Sequence, residues 1–207
     1  MKPKSIILLS GGLDSTVSAA VARRRTQPVF ALTFDYGQRA AKMEITASKK
    51  ICRFLKIKHK LIRLPFFKEF SKLRLLGEAK GALKRFENVR DLWIPNRNGL
   101  FINIAACFGE YYGASIIVTG FNREEAQEFP DNSERFLRAV NRSLKYSTLS
   151  NVEVRSYVLQ YTKKEIYRLG LKYKAPLELV YSCYLGGKNM CGKCASCKRL
   201  IQAKKQA

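Results

Sequence analysis

Two groups of residues in this chain carry chemistry by type and spacing. The first is Ser10-Gly11-Gly12-Leu13-Asp14-Ser15, directly behind the apolar run Ile6-Ile7-Leu8-Leu9. Adjacent glycines let the backbone approach a ligand closely and take torsions closed to other residues. A helix opening there, with Val17, Ala20 and Val21 at apolar positions, turns free N–H groups and its positive dipole end toward that ligand, which makes an anion site. No Gly-Lys-Ser/Thr follows, so this is not the lysine-bearing phosphate loop of kinases and GTPases. A plain turn followed by an N-cap would use the same residues, and that reading stays open. The second group is Cys183, Cys191, Cys194 and Cys197. Four thiolates with Cys-x-x-Cys steps suit a closed tetrahedral zinc site, whose role is structural because no coordination position is left open. An iron–sulfur cluster or a redox pair could draw on the same residues. Cys52 and Cys107 fall at apolar helix positions and read as core. The single histidine, His59, reads as a strand residue, which disfavours mechanisms needing a histidine base.

The elements that must hold these groups alternate between strand and helix. Residues 5–10 read as a strand, 14–25 as a helix, 28–34 as a second strand, 40–55 as a helix and 59–64 as a third strand closed by Pro65. Segment 66–92 mixes aromatic, leucine and basic residues; it reads as an insertion or lid between core elements, or as a helical pair packed on them. A helix over 99–112, a strand over 115–118 and an acidic, Pro-containing loop over 123–133 come next. A helix near 134–145 and a short strand over 152–154 follow. Thr162-Lys163-Lys164-Glu165 has capping-box form and opens a helix ending at Gly170. This alternation predicts an α/β fold, a parallel sheet with helices on both faces. Ligands then sit beyond the carboxyl ends of the strands, so loops 10–15, 35–39 and 120–122 are expected around one cleft. An α/β domain over 1–160 is expected to carry a small helical, zinc-binding subdomain over 161–207.

With 207 residues, 46% of them hydrophobic, the chain can bury a substantial core and is not a disordered tail. No apolar run approaches the ~20 residues of a membrane span. The first strand begins too early for a signal peptide, so a soluble, cytoplasmic protein with no membrane contact is expected. The net charge is +23, and residues 23–90 hold nineteen Lys or Arg against five acids. Such a balance attracts polyanions such as ATP, tRNA or ribosomes, or else marks a solvated lysine-rich surface.

Six segments carry a resemblance to a known family. Leu9-Ser10-Gly11-Gly12-Leu13-Asp14-Ser15-Thr16 resembles the pyrophosphate loop of the N-type (PP-loop) ATP pyrophosphatases. Phe34-Asp35-Tyr36-Gly37-Gln38-Arg39, Ile94-Pro95-Asn96-Arg97-Asn98, Gly120-Phe121-Asn122, Thr162-Lys163-Lys164-Glu165-Ile166 and Ser182-Cys183-Tyr184 through Cys197 narrow the likeness to the 7-cyano-7-deazaguanine (preQ0) synthase family, QueC. Ala40 stands where that family usually has histidine, and Asn132 where its Tyr-Pro-Asp-Cys loop has cysteine.

The resemblance implies a Rossmann-like (adenine nucleotide alpha hydrolase-like) fold and an ATP-dependent carbon–nitrogen ligase of queuosine or archaeosine biosynthesis. Its substrates are 7-carboxy-7-deazaguanine, ammonia and ATP. The acid is adenylated and aminated to the amide, which is adenylated again and loses AMP to give the nitrile. Implied cofactors besides ATP are Mg²⁺ and one structural Zn²⁺ on Cys183, Cys191, Cys194 and Cys197. ATP would be bound by Leu9, Ser10, Gly11, Gly12, Leu13, Asp14, Ser15, Thr16, Val17, Ser18 and Phe34, with Asp14 carrying Mg²⁺ or capping the helix. Asp14, Ser15, Arg39 and Arg97 would be catalytic, the arginines offsetting phosphate charge. Asp35, Tyr36, Gln38, Asn98, Gly120, Asn122 and Asp131 would bind the substrate, a carboxylate accepting from its guanine-like N1–H and 2-amino edge. A homodimer and nucleic-acid contact are further expected partners. Two other functions fit the same sequence: a related PP-loop enzyme that adenylates and modifies tRNA or another macromolecule, and a non-enzymatic RNA-binding module scaffolded by metal.

Overall fold

The computed structural model describes residues 1–70, 73, 75, 76 and 92–207. The lid expected over 66–92 therefore lies largely outside the described residues. Five strands, β1 (Lys4–Leu8), β2 (Gln27–Asp35), β3 (His59–Arg63), β4 (Ile116–Thr119) and β5 (Glu153–Ser156), form one sheet in the order β3-β2-β1-β4-β5. Every neighbouring pair is parallel. The expected α/β class holds, and its cause is visible in β1: Ile6 and Ile7 point to opposite faces, and both are fully buried. Each such side chain contributes about 1.5–3 kcal/mol on burial, so both faces must be covered.

Helices α1 (Leu13–Arg25) and α2 (Ala41–Leu55) cover the Ile7 face; α3 (Arg97–Tyr112) and α5 (Glu134–Ser147) cover the Ile6 face. A short α4 (Arg123–Glu128) lies between β4 and α5, and α6 (Lys163–Lys172) and α7 (Ala195–Gln206) close the chain. The C-terminal helices share a core with α1: Ile166, Ala175, Val180 and Ala203 pack with Leu13, Val17 and Ala20. From β1 the chain moves outward to β2 and β3, then returns to β4 on β1's other side. That reversal opens a crevice at the carboxyl ends of β1 and β4. No helix among the described residues is long and apolar enough to cross a membrane.

Several expectations need correction. Cys107 is exposed, not core. The buried stripe of α3 runs through Gly99, Ile102, Ala105, Ala106 and Gly109, and a residue at 107 points away from it. The acidic segment 123–133 is not a loop. The Asn122 side chain accepts from Glu125 N at 3.0 Å and caps α4, whose first turn holds Glu124 and Glu125 against the dipole. A 3-10 turn, Pro130–Asn132, follows. The last strand begins at Glu153 and runs on to Ser156 rather than starting at Val152. The Thr162 capping box is present, but α6 continues past Gly170 to Lys172. Gly170 permits close packing instead of ending the helix: a Cβ there would come within 3.0 Å of Val17 and 2.8 Å of Leu177. His59 is a β3 residue bonded to Thr33 Oγ1 at 2.9 Å, as its sequence context suggested.

Candidate active site

The loop behind β1 is folded on itself. Ser15 Oγ donates to Gly12 O at 3.2 Å and meets Ser10 Oγ at 3.1 Å, while Thr16 Oγ1 donates to Gly12 O at 2.7 Å. Gly12 is the N-cap of α1, and no side chain caps the helix. First-turn N–H groups are thus left facing the crevice, the arrangement that binds phosphate. Asp14, expected as a possible cap, lies inside the helix and does not serve as one, because its carboxylate is drawn to a lysine.

That lysine is Lys163, the first residue of α6. Its Nζ donates to Asp14 Oδ2 at 2.6 Å and to Glu125 Oε1 at 2.5 Å, with side-chain exposures of 10, 17 and 27% for Lys163, Asp14 and Glu125. Glu124 Oε1 accepts from the Lys163 backbone N–H at 2.7 Å, so α4 clamps the start of α6. Burial pushes the Asp14 carboxyl up to about 6 even though Lys163 pulls it down. Burial opposes Lys163's charge too, but the two carboxylates hold its ammonium well above the ordinary lysine value. Asp14 Oδ1 is buried with no hydrogen-bond partner among the described residues. The sequence did contain a signal for Lys163: a cation in a helix's first turn opposes the dipole and implies an acidic partner.

Gly120, at the end of β4, completes the wall. A Cβ there would stand 2.7 Å from Ser15 N and 3.0 Å from Asp14 C, both backbone atoms that cannot swing aside. Gly120→Ala is therefore expected to displace the first turn of α1 and weaken ATP binding about tenfold or more, with the fold retained. Calorimetric titration with ATP checks this; unchanged affinity would show that the close approach does not shape the phosphate site.

The crevice is a cavity of about 270 Å³. Around the glycine loop it is lined by Ser10, Gly12, Asp14, Ser15, Gly120 and Lys163. The lining also includes Phe34, Tyr36, Glu44, Arg97, Asn98 and Phe101. The Phe34 and Phe101 rings stack with centroids 4.0 Å apart, and Arg97 Nη1 donates to Tyr36 OH at 3.2 Å. Tyr181, Ser182, Tyr184, Ser196 and Arg199 bring the C-terminal segment into the lining.

Of the residues singled out in the sequence, Leu9, Ser10, Gly12, Leu13, Asp14, Ser15, Phe34, Tyr36, Arg97, Asn98 and Gly120 line this cavity. Thr16, Val17 and Ser18 are buried behind it, with Ser18 Oγ donating to Thr119 O at 2.6 Å. Gly11 faces α2, where a Cβ would meet Glu44 O and Ala47 at 3.0 Å. Asp35 caps its own turn, Oδ1 accepting from Gly37 N at 3.2 Å. Gln38, Arg39, Asn122 and Asp131 lie outside the lining; Gln38 and Asn122 act within the walls. Glu44 and Arg199 line the cavity without having been singled out; Glu125, Lys163 and Tyr184 line it too, from segments noted in the sequence but given no site role of their own there. Arg23, Arg24, Arg25, Arg53, Lys56 and Lys58 are exposed at the opposite, amino-terminal edge of β2 and β3, so they are not part of the cavity.

The sulfur atoms of Cys183, Cys191, Cys194 and Cys197 lie within 4.8 Å of one another, a set that could hold a metal ion. Cys183 and Cys197 are buried in the core beside Tyr181. Burial works against the Cys191 thiolate, yet the N–H groups of Cys194 and Lys193, at 3.3 and 3.4 Å, hold its thiol down at about 7. The segment is seated on the phosphate loop: Tyr181 N donates to Gly11 O at 2.9 Å. Gly186, at φ +73°, fits where a Cβ would strike Arg39 O at 2.1 Å.

A family model described as queuosine biosynthesis protein QueC matches residues 4–207. A 7-cyano-7-deazaguanine synthase of Carboxydothermus hydrogenoformans is 50% identical over 210 residues, covering 97% of this chain and 98% of that protein. Another with this name, from Methanosarcina barkeri, is 40% identical and covers 99% and 94%. Among solved structures, the U34-tRNA thiolase NcsA of Methanococcus maripaludis with its [4Fe-4S] cluster superposes with a TM-score of 0.56 at 16% identity, over 99% of this chain and 72% of that one. A 4-thiouridine synthetase in complex with RNA and bound ATP gives 0.55 at 21%, over 99% and 50%. These structures share the fold.

Proposed function

We propose, because this chain belongs to the queuosine biosynthesis protein QueC family, that it is an ATP-dependent ligase converting 7-carboxy-7-deazaguanine and ammonia to 7-cyano-7-deazaguanine. The observation that carries the reading is the uncapped start of α1 beside the Asp14–Lys163–Glu125 cluster, with Phe34, Tyr36 and Phe101 in the same cavity lining. The substrate carboxylate attacks the α-phosphorus of ATP and pyrophosphate leaves. The α1 N–H groups receive the leaving phosphates, and Lys163, Arg97 and Arg199 face the cavity to offset developing charge. Ammonia attacks the acyl carbon and AMP departs, leaving the amide. The amide oxygen then attacks the α-phosphorus of a second ATP with release of pyrophosphate, and loss of AMP and the two amide N–H protons gives the nitrile.

Mg²⁺ fits beside the same helix start. Asp14 Oδ1, buried and without a partner, would hold it, and the ion when bound would neutralise phosphate charge. For the cysteines we propose zinc. Around one ion with Zn–S near 2.3 Å, four sulfurs sit about 3.8 Å apart. A four-iron core would spread them to roughly 6 Å. The 3.9 Å separation of the Cys191 and Cys197 sulfurs and the 4.8 Å limit for all four support a single ion. Free thiols in this number suit a reducing cytoplasm. A homodimer, and polyanion contact at the basic strand edge, belong to the same reading; sedimentation and salt-dependent tRNA binding check them. Direct tRNA modification is not favoured, because the relatives compared above carry the synthase name over nearly full length.

Mass spectrometry after incubation with Mg·ATP, ammonium and 7-carboxy-7-deazaguanine tests the assignment. Nitrile and AMP are expected together. AMP released while the deazapurine stays unchanged would overturn the substrate and keep only the ATP chemistry.

A further inference from the structure

Three carboxylates line the cavity, and they differ in what already holds them. Asp14 and Glu125 are both bound by the Lys163 ammonium. Glu44 is not: among the described residues its carboxylate takes part in no ion pair. It stands in the first turn of α2, with its backbone carbonyl against Gly11 of the phosphate loop. Burial pushes its carboxyl up; the Gln38 hydrogen bond and the more distant Arg97 charge pull it down.

Its orientation is set from behind. Gln38 Nε2 donates to Glu44 Oε2 at 2.8 Å and to Phe34 O at 3.0 Å, while Gln38 Oε1 accepts from Tyr36 N at 3.0 Å. Gln38 is itself buried, so its amide cannot turn without breaking backbone bonds at the end of β2. A carboxylate has room for about four donors, and Glu44, half-buried at the cavity wall, has most of that capacity left. One is Gln38, and a ligand in the cavity can supply others. The neighbouring walls are flat rings, Phe34 stacked on Phe101 with Tyr36 5.5 Å from Phe101. A planar heterocycle presenting two adjacent N–H donors is the ligand that suits both features.

Resting on the function proposed above, we infer that Glu44, positioned by Gln38, accepts from the ring N1–H and exocyclic 2-amino group of the deazaguanine and so selects a 2-amino-oxopyrimidine ring. Adenine offers a donor beside an acceptor along its corresponding edge, and its N1 lone pair would face a negative oxygen. The same side chain therefore keeps the base of ATP out of this compartment. Asp35, the carboxylate for which the sequence suggested this task, lies outside the cavity lining, with Oδ1 accepting from Gly37 N in its own turn.

The test compares 7-carboxy-7-deazaguanine with its analogue lacking the 2-amino group, using the full-length enzyme. Wild type is expected to use the analogue about 10–100-fold less efficiently in kcat/KM, the range for losing a hydrogen bond to a charged group. Glu44→Gln is expected to raise KM for the parent acid by a similar factor and to shrink the discrimination to within about threefold, with KM for ATP nearly unchanged. Gln38→Ala is expected to move discrimination the same way by less, which a merely structural glutamine would not do. Equal use of both acids by wild type overturns the inference, as does a Glu44→Gln enzyme that keeps full discrimination or loses ATP affinity in step. If Glu44→Gln does not fold, the wild-type comparison and Glu44→Asp decide. A wild type that converts neither acid overturns the proposed function instead, and dissociation constants for the two rings then still test Glu44.

Discussion

Lys163→Met is expected to destabilise the protein by about 3–5 kcal/mol, because it leaves two largely buried carboxylates, Asp14 and Glu125, without their cation. In the native protein the Lys163 ammonium is held above its ordinary value of about 10.4, so its contribution is complete below that pH and is lost only as pH rises beyond it. In the variant, burial lifts both carboxyls without Lys163 to oppose it, and only the more distant Arg199 and Arg97 still pull Glu125 down. The folded state then binds more protons than the unfolded one above about pH 4, so stability falls as pH rises. The difference in Tm between wild type and variant should therefore be wider at pH 8 than at pH 5. A gap independent of pH would mean that the cluster is not the source of the loss. Because Lys163 lines the cavity beside the glycine loop, AMP release should also fall, by about 10²–10³-fold. Lys163→Arg, which keeps the charge on a longer fork, should recover stability better than turnover.

Removing the metal is expected to have an effect of similar size by another route. Chelation, or Cys197→Ser, releases the segment from Tyr181 to Arg199. A structural zinc site contributes its binding energy to folding. A net loss of about 5 kcal/mol corresponds, at roughly 2–4 °C per kcal/mol for a chain of this size, to a fall in Tm of about 10–20 °C. The sequence alone suggests a tail anchor remote from chemistry. The hydrogen bond from Tyr181 N to Gly11 O, together with Ser182, Tyr184, Ser196 and Arg199 in the cavity wall, predicts that ATP affinity falls as well, about tenfold or more. Chelated protein titrated with Zn²⁺ should regain both. Unchanged Tm and ATP affinity after metal removal would contradict the role.

Where local signals were strong, sequence and structure agree. The apolar stretches at 6–8, 29–32 and 116–118 lie in strands because nothing else covers a segment that is apolar on both sides. The glycine pair before α1 and the four-cysteine spacing likewise need only near neighbours to be recognised. Agreement fails where the partner is distant in sequence. Asp14 reads as a cap or metal ligand until Lys163 is brought beside it from 149 residues away. Cys107 reads as core until the orientation of α3 is known. Asp35 and Arg39 read as site residues because they lie at the end of β2 and just beyond it, yet the turn directs Tyr36 into the cavity and ties Asp35 to Gly37.

The sequence by itself therefore determined the parallel α/β class, the glycine loop before α1, the family and the clustering of four cysteines that could hold a metal. Each of these rests on residues close together along the chain or on a repeating pattern of apolar side chains. Only the tertiary structure decided which charges meet. It set Lys163 between Asp14 and Glu125, put Glu44 rather than Asp35 in the cavity wall, and braced the cysteine segment against Gly11. Burial and charge pairing depend on distances between elements, and the packing of helices on the sheet sets those distances.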